Sequence, residues 1–95
     1  MSKLTKSARG MGCQVRLPGI CNFNPETTVL AHLGGAGMGM KSLDIHGAFC
    51  CSSCHDAYDG RTKVGISRDE IKMYFYDGMV RTQNYWIKNG FLVIK

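Results

Sequence analysis

No stretch of these 95 residues approaches the roughly 18 consecutive apolar residues that cross a bilayer, which excludes a membrane-spanning helix and makes a membrane partner unexpected. Nor does an apolar segment follow Lys3 and Lys6, as a secretory signal would require. The expectation is a cytoplasmic chain whose thiols stay reduced. Acidic residues are scarce, 7 against 12 Lys and Arg, and none precedes Glu26. Charged residues make up only 20% and apolar ones 44%, so a disordered composition is excluded as well. Two domains do not fit in this length, and a single domain over residues 1–95 buries only a modest core. Such a domain commonly needs a metal, a disulfide or a partner. Five cysteines cannot all pair, which favours metal.

What is present is a net charge of +5, unevenly placed. Lys3, Lys6, Arg9 and Arg16 form a purely basic opening, and Arg61, Lys63, Arg68 and Lys72 follow the cysteine-rich region. Beyond ordinary solubility, this arrangement suits a polyanion, because each phosphate contact releases counterions. Lys3, Lys6, Arg9, Arg16, Arg61 and Lys63 are the candidate contacts to a nucleic-acid backbone.

Residues 1–12 form a basic arm or short helix. Residues 13–60 carry the metal chemistry. In 13–21, Val15 and Leu17 alternate before a Pro18-Gly19 turn, a pattern for a knuckle with a cysteine at each end. Thr27 to Leu33, β-branched and apolar, predicts a strand with His32 near its end. The glycine-rich 34–40 predicts a loop, either a plain connector or backbone lying close to phosphates. Residues 44–50 predict a second strand, 51–60 a short helix stopped by Gly60. A long helix is expected over 67–89, opened by the Ser67–Glu70 capping box, with Ile71, Phe75, Gly78, Thr82, Tyr85 and Trp86 on its core face. Gly78 there suits a bend or a close neighbour. Phe91 to Ile94 closes as a strand or an apolar tail.

Cys51 and Cys54 are separated by two residues, so both thiolates reach one tetrahedral ion. Cys13 and Cys21 lie seven residues apart, longer than usual, but the Pro18-Gly19 turn brings such ends together. The four form a candidate structural zinc site. Cys50 competes with Cys51 but lacks the two-residue spacing to Cys54; as a mere neighbour, it should tolerate serine almost silently. Buried free thiols are the plainer alternative. Cys51-x-x-Cys54-His55 also matches a haem-attachment pattern, but that chemistry belongs outside the cytosol and would leave Cys13 and Cys21 without a purpose. His55 and Asp59 are four apart and project from one helix face. Together they can hold a divalent ion with its other positions open, as a catalytic metal needs. His32 is either a satisfied core histidine or a functional one.

A strand-borne His32, a loop, then Cys51-x-x-Cys54-His55-x-x-x-Asp59 resembles the HNH, or ββα-metal, endonuclease motif. The runs Ala8-Arg9-Gly10, Cys13-Gln-Val-Arg16, Pro18-Gly19, Asn24-Pro25-Glu26-Thr27, Ala31-His32-Leu33 and Cys54-His55-Asp56, with Met79-x-Arg81-Thr82-Gln83 and Trp86, resemble the YbcO family of lambdoid prophages, described as nucleases. The resemblance implies an α+β fold: a small zinc-stabilised ββα-metal domain with an additional long C-terminal helix. It implies His32 as general base and His55 and Asp59 on a catalytic metal; the middle Asn that orients the base is absent, so this task falls to Asp44, near its place, or to a backbone carbonyl. Ala31 stands where many members carry a further ligand, leaving two protein ligands for that metal.

The implied activity is hydrolysis of phosphodiester bonds, most naturally in DNA, by a phage or prophage enzyme. An imidazole, with an ordinary pKa near 6.5, can activate water. Mg²⁺ or Mn²⁺ on His55 and Asp59 would act as Lewis acid and template. The competing expectation is an inactive HNH-like zinc module that binds nucleic acid or a phage recombination or replication partner. The long helix could also supply a homodimer face.

Overall fold

The computed structural model describes residues 3–33 and 43–93. The sequence folds as a small α+β unit in which a two-stranded antiparallel sheet is covered by a long C-terminal helix. The elements are α1 (Lys3–Ser7), β1 (Val29–His32), β2 (Gly47–Cys50), α2 (Ser52–Asp59) and α3 (Arg68–Lys88). Short 3₁₀ turns at Pro25–Thr27 and Asp44–His46 precede the two strands. Among the described residues, no helix is long and apolar enough to cross a membrane.

The sheet register pairs Val29 with Cys50 and His32 with Gly47. Gly47 is required there: a Cβ at this position would lie 2.7 Å from Leu30 Cδ1 and 2.9 Å from the Ala31 carbonyl oxygen. Both strands are shorter than the apolar pattern predicts. Residues 44–46 turn instead of extending, because the His46 N–H bonds back to the Leu43 carbonyl. The segment 13–21 contains no strand, yet Val15 and Leu17 are both buried, with the turn closed by Ile20 and Cys21 amides on the Leu17 carbonyl. The glycine-rich 34–40 lies outside the described residues.

Helix α3 begins at the expected capping box, with the Glu70 amide donating to Ser67 Oγ, and ends at Asn89 and the left-handed Gly90. Ile71, Phe75, Gly78, Thr82 and Trp86 are buried on one face, with Tyr85 at its margin. Burying a side chain of the size of Phe75 contributes roughly 1.5–3 kcal/mol. Gly78 is a close approach, not a bend: a Cβ there would meet the Gln14 carbonyl and Val15 Cγ2 at 2.9 Å each. Thr82 Oγ1 bridges helix and sheet, donating to the Gly78 carbonyl and accepting from the Phe49 amide at 3.0 Å. Tyr58 on α2 stacks on Phe75, and Phe49 meets Trp86 edge-on.

At both ends the structure decides between two alternatives. Residues 91–93 form no strand; Leu92 packs on the core around Trp86 while Val93 is exposed. The N-terminal segment is a docked helix and turn, with Ala8 buried and Trp86 Nε1 donating to Ser7 Oγ at 2.8 Å. Lys3, Lys6 and Arg9 remain on its exposed side.

Candidate metal centre and histidine site

The four cysteines chosen from spacing come together. The sulfurs of Cys13, Cys21, Cys51 and Cys54 all lie within 4.8 Å of one another. Two come from the turns of residues 13–23 and two from the start of α2, where Cys51 is also the N-cap, its sulfur accepting from the Cys54 amide. The Cys21–Cys51 sulfur separation is 3.8 Å. A tetrahedron with metal–sulfur bonds of about 2.3 Å has an edge of about 3.8 Å, so the donor set suits a metal ion of that kind.

Backbone amides face the sulfurs directly around the centre. Backbone amides of Arg16 and Leu17 donate to the sulfurs of Cys13 and Cys54 at 3.4 Å, and the Phe23 amide bonds that of Cys21. Burial, opposed by that amide and reinforced by Cys13 and Cys51, pushes the Cys21 thiol up to about 11. Hydrogen bonds from Cys50 and Cys54 hold Cys13 far below the ordinary thiol range, and the same bonds from Cys13 push Cys50 and Cys54 upward. A cation bound at such a site would displace the thiol protons. Cys50 is not the peripheral neighbour the spacing implied. It is fully buried, next to the quartet, and its thiol meets the Cys13 sulfur.

The histidines form two separate pairs. His32, at the end of β1, places Nε2 2.7 Å from Asp44 Oδ1. Thr5 Oγ1 from α1 donates to the other carboxylate oxygen of Asp44 at 3.2 Å. The adjacent backbone is held by α3, where Gln83 Nε2 donates to the Ile45 carbonyl at 2.7 Å. His32 and Asp44 are 36% and 29% exposed at their side chains, so the pair is reachable from solvent. On α2, His55 Nε2 lies 3.2 Å from Asp59 Oδ2. Neighbouring ligands on an octahedral ion with bonds of about 2.1 Å are about 3.0 Å apart, so this pair fits two such positions. Among the described residues, the cysteine quartet alone brings three or more of these ligand types together, so His55 and Asp59 stand as a two-residue set.

The basic candidates have different fates. Arg61 reaches Asp59 at 3.7 Å and Asp56 at 3.9 Å, beside the α2 pair. Arg16 is tied to its own turn, donating to the Cys13 carbonyl and Gln14. Lys63 is exposed. Arg68 caps α2, donating to the carbonyls of Ala57 and Tyr58 and lying over the Tyr58 ring. Sequence reasoning missed Thr5 and Gln83 as supports of Asp44. A threonine 39 residues away carries no local signal.

The chain belongs to the YbcO family. The family model described as "Putative nuclease YbcO" matches residues 2–91. The chain is 47% identical over 93 residues to proteins of that description from Escherichia coli strain K12 and from Enterobacteria phage 82, covering 95% of this chain and 96% of each relative. It is also similar to a solved structure described as that of "a putative bacteriophage protein" from E. coli K-12 MG1655. There the TM-score is 0.81 and the identity 45%, over 92% of this chain and 99% of the other.

Proposed function

We propose that the chain is a phage-type nuclease of the HNH, or ββα-metal, class, hydrolysing phosphodiester bonds in nucleic acid, most naturally DNA, in the bacterial cytoplasm. The observation that carries this reading is the His32–Asp44 contact at the end of β1, followed by β2 and by the His55–Asp59 pair on α2. The family description as nuclease supports the same reaction class.

Asp44 accepts the Nε2 proton of His32, which fixes the tautomer and leaves Nδ1 to take a proton from water. Thr5 holds the carboxylate in place for this task. His55 and Asp59 would hold Mg²⁺ or Mn²⁺, which as a Lewis acid would offset charge on the phosphate and on the departing 3′ oxygen. The expected products carry a 5′-phosphate and a 3′-hydroxyl. Arg61 stands beside the pair to meet phosphate, and Lys3, Lys6, Arg9, Arg16 and Lys63 are proposed to hold the backbone without reading bases. Cys13, Cys21, Cys51 and Cys54 would hold zinc, which replaces core that the chain is too short to build.

The outer side of α3 exposes Met73, Tyr76, Val80 and Ile87 along one stripe. Its first half carries the acids (Asp69, Glu70, Asp77) together with Arg68 and Lys72, and its second half carries bases alone (Arg81, Lys88). An antiparallel second copy fits this stripe, and phage recombination or replication proteins are the other class of partner. A monomeric mass at high concentration would exclude the homodimer.

The deciding experiment is nicking of supercoiled plasmid with Mg²⁺ or Mn²⁺, stopped by EDTA. His32→Ala should lower the rate by about 10²–10⁴-fold, as loss of a general base does. Zinc content, helix content and DNA affinity should stay at wild-type levels. If His32→Ala loses stability and binding together, the histidine is a core residue. If the wild-type protein binds nucleic acid and cuts no duplex, single-stranded, branched or RNA substrate, the inactive zinc module replaces the nuclease.

A further inference from the structure

The turn that follows Cys21 carries a residue the fold does not explain. Phe23 has a left-handed backbone, φ +54°, and a side chain 76% exposed. It belongs to neither core cluster. The fold needs this conformation, because it aims the Phe23 amide at the Cys21 sulfur, and the Asn24 amide closes the turn on Asn22 Oδ1 at 2.8 Å. Only the backbone is used, and glycine or asparagine adopts that backbone with less strain. Arg16, the other non-glycine residue with positive φ, differs: its guanidinium secures the turn through the Cys13 carbonyl and Gln14. Phe23 accepts the same strain and leaves its ring in water.

The ring is also rigidly based. Asn22 Nδ2 donates to Ser52 Oγ and Ser53 Oγ at 3.0 and 3.2 Å, pinning the turn to the first residues of α2. Ser52, His55 and Asp59 recur at helical spacing on one side of α2, and Ser52 to His55 is a rise of about 4.5 Å. An exposed aromatic therefore stands at one end of the face that carries the His55–Asp59 pair, and Arg61 stands near the other.

We propose that Phe23 is a stacking platform for an unpaired base of single-stranded nucleic acid passing along this face of α2. Within an intact duplex both faces of every base are already stacked, whereas an unpaired base offers a face to an aromatic ring. Stacking tolerates any base, in keeping with a surface whose charges track phosphates. This inference rests on nucleic acid being the partner in the reading above, and it narrows that partner to strands with unpaired bases.

The test uses the full, zinc-loaded protein and a fluorescein-labelled single-stranded oligonucleotide, without added divalent ion, beside the matching duplex. Phe23→Asn keeps the amide and suits the turn; Phe23→Trp keeps an aromatic face. Phe23→Asn should weaken single-strand binding by about 5- to 150-fold, the loss of one base–aromatic stack, with duplex affinity and zinc content unchanged. Phe23→Trp should bind as wild type, and its indole emission should be quenched by the oligonucleotide. Trp86, the sole native indole, is buried and serves as the internal reference. Unchanged single-strand affinity in Phe23→Asn, equal losses on both substrates, or no quenching would each overturn the platform. Phe23-dependent binding without any His32-dependent cleavage leaves the platform and removes the nuclease. Cleavage indifferent to Phe23 does the reverse.

Discussion

The cysteine quartet and the histidine pairs draw on similar ligand chemistry and differ in how far they are enclosed. The quartet is closed: four sulfurs, buried or nearly so, surround one position and accept backbone amides. The histidine pairs are open: His32 and His55 are each about a third exposed and each is paired with one carboxylate. Closed four-ligand sites hold structure, and sites with free positions hold substrate and water. Loss of a quartet member should therefore cost the fold, and loss of a pair member should cost only chemistry.

The largest effect expected follows from Cys54→Ser. It removes one ligand from the proposed zinc site; structural zinc contributes an apparent 10–16 kcal/mol, roughly, in small domains, as much as the whole stability of most. The variant should show no cooperative thermal transition by circular dichroism and no zinc by elemental analysis. A strong chelator should do the same to the wild type. Acid should release the ion as well: Cys21, with its thiol pushed up to about 11, is protonated in the metal-free fold, so uptake expels a proton and weakens as pH falls. A well-folded Cys54→Ser protein would erase the contrast between the two regions.

His55→Ala sharpens the contrast from the other side. Its melting temperature should stay within a few degrees of wild type while plasmid nicking falls below detection in Mg²⁺. Raising Mn²⁺ should restore part of the rate, since Asp59 remains as a ligand. Joint loss of stability and activity would mean that this pair, too, is structural.

Cys50→Ser tests the border of the closed region and carries the smallest effect. Spacing alone made this substitution almost silent. In the structure it buries a hydroxyl at a fully enclosed position and replaces the thiol that meets Cys13. A destabilisation of about 1–3 kcal/mol is expected, read from denaturant midpoints, with zinc still bound. Loss of zinc would instead make Cys50 a ligand.

The closed region was the more legible of the two in the sequence. Two-residue spacing selected Cys51 over Cys50, and the Pro18-Gly19 turn accounted for the wide separation of Cys13 and Cys21. Helix α3 was equally plain, since its capping box and 3.6-residue repeat are local features. The supports of the open region were not readable. Thr5 reaches Asp44 across 39 residues and Gln83 reaches Ile45 across 38, and neither contact leaves a periodic trace. The early start predicted for the second strand failed for a related reason. Of residues 44–46 only Ile45 favours a strand, and the turn that presents Asp44 to His32 takes the segment instead.

The bond between Ser7 and Trp86 spans 79 positions and seats the helix that brings Thr5 to Asp44. During synthesis on the ribosome, the amino-terminal helix has no berth until the indole at position 86 has been made and has left the exit tunnel. A nascent or prematurely terminated chain could gather its four sulfurs, all encoded by residue 54, yet would lack the brace behind His32. The order of translation itself thus leaves the His32–Asp44 contact without its Thr5 support until nearly all of these residues have been made.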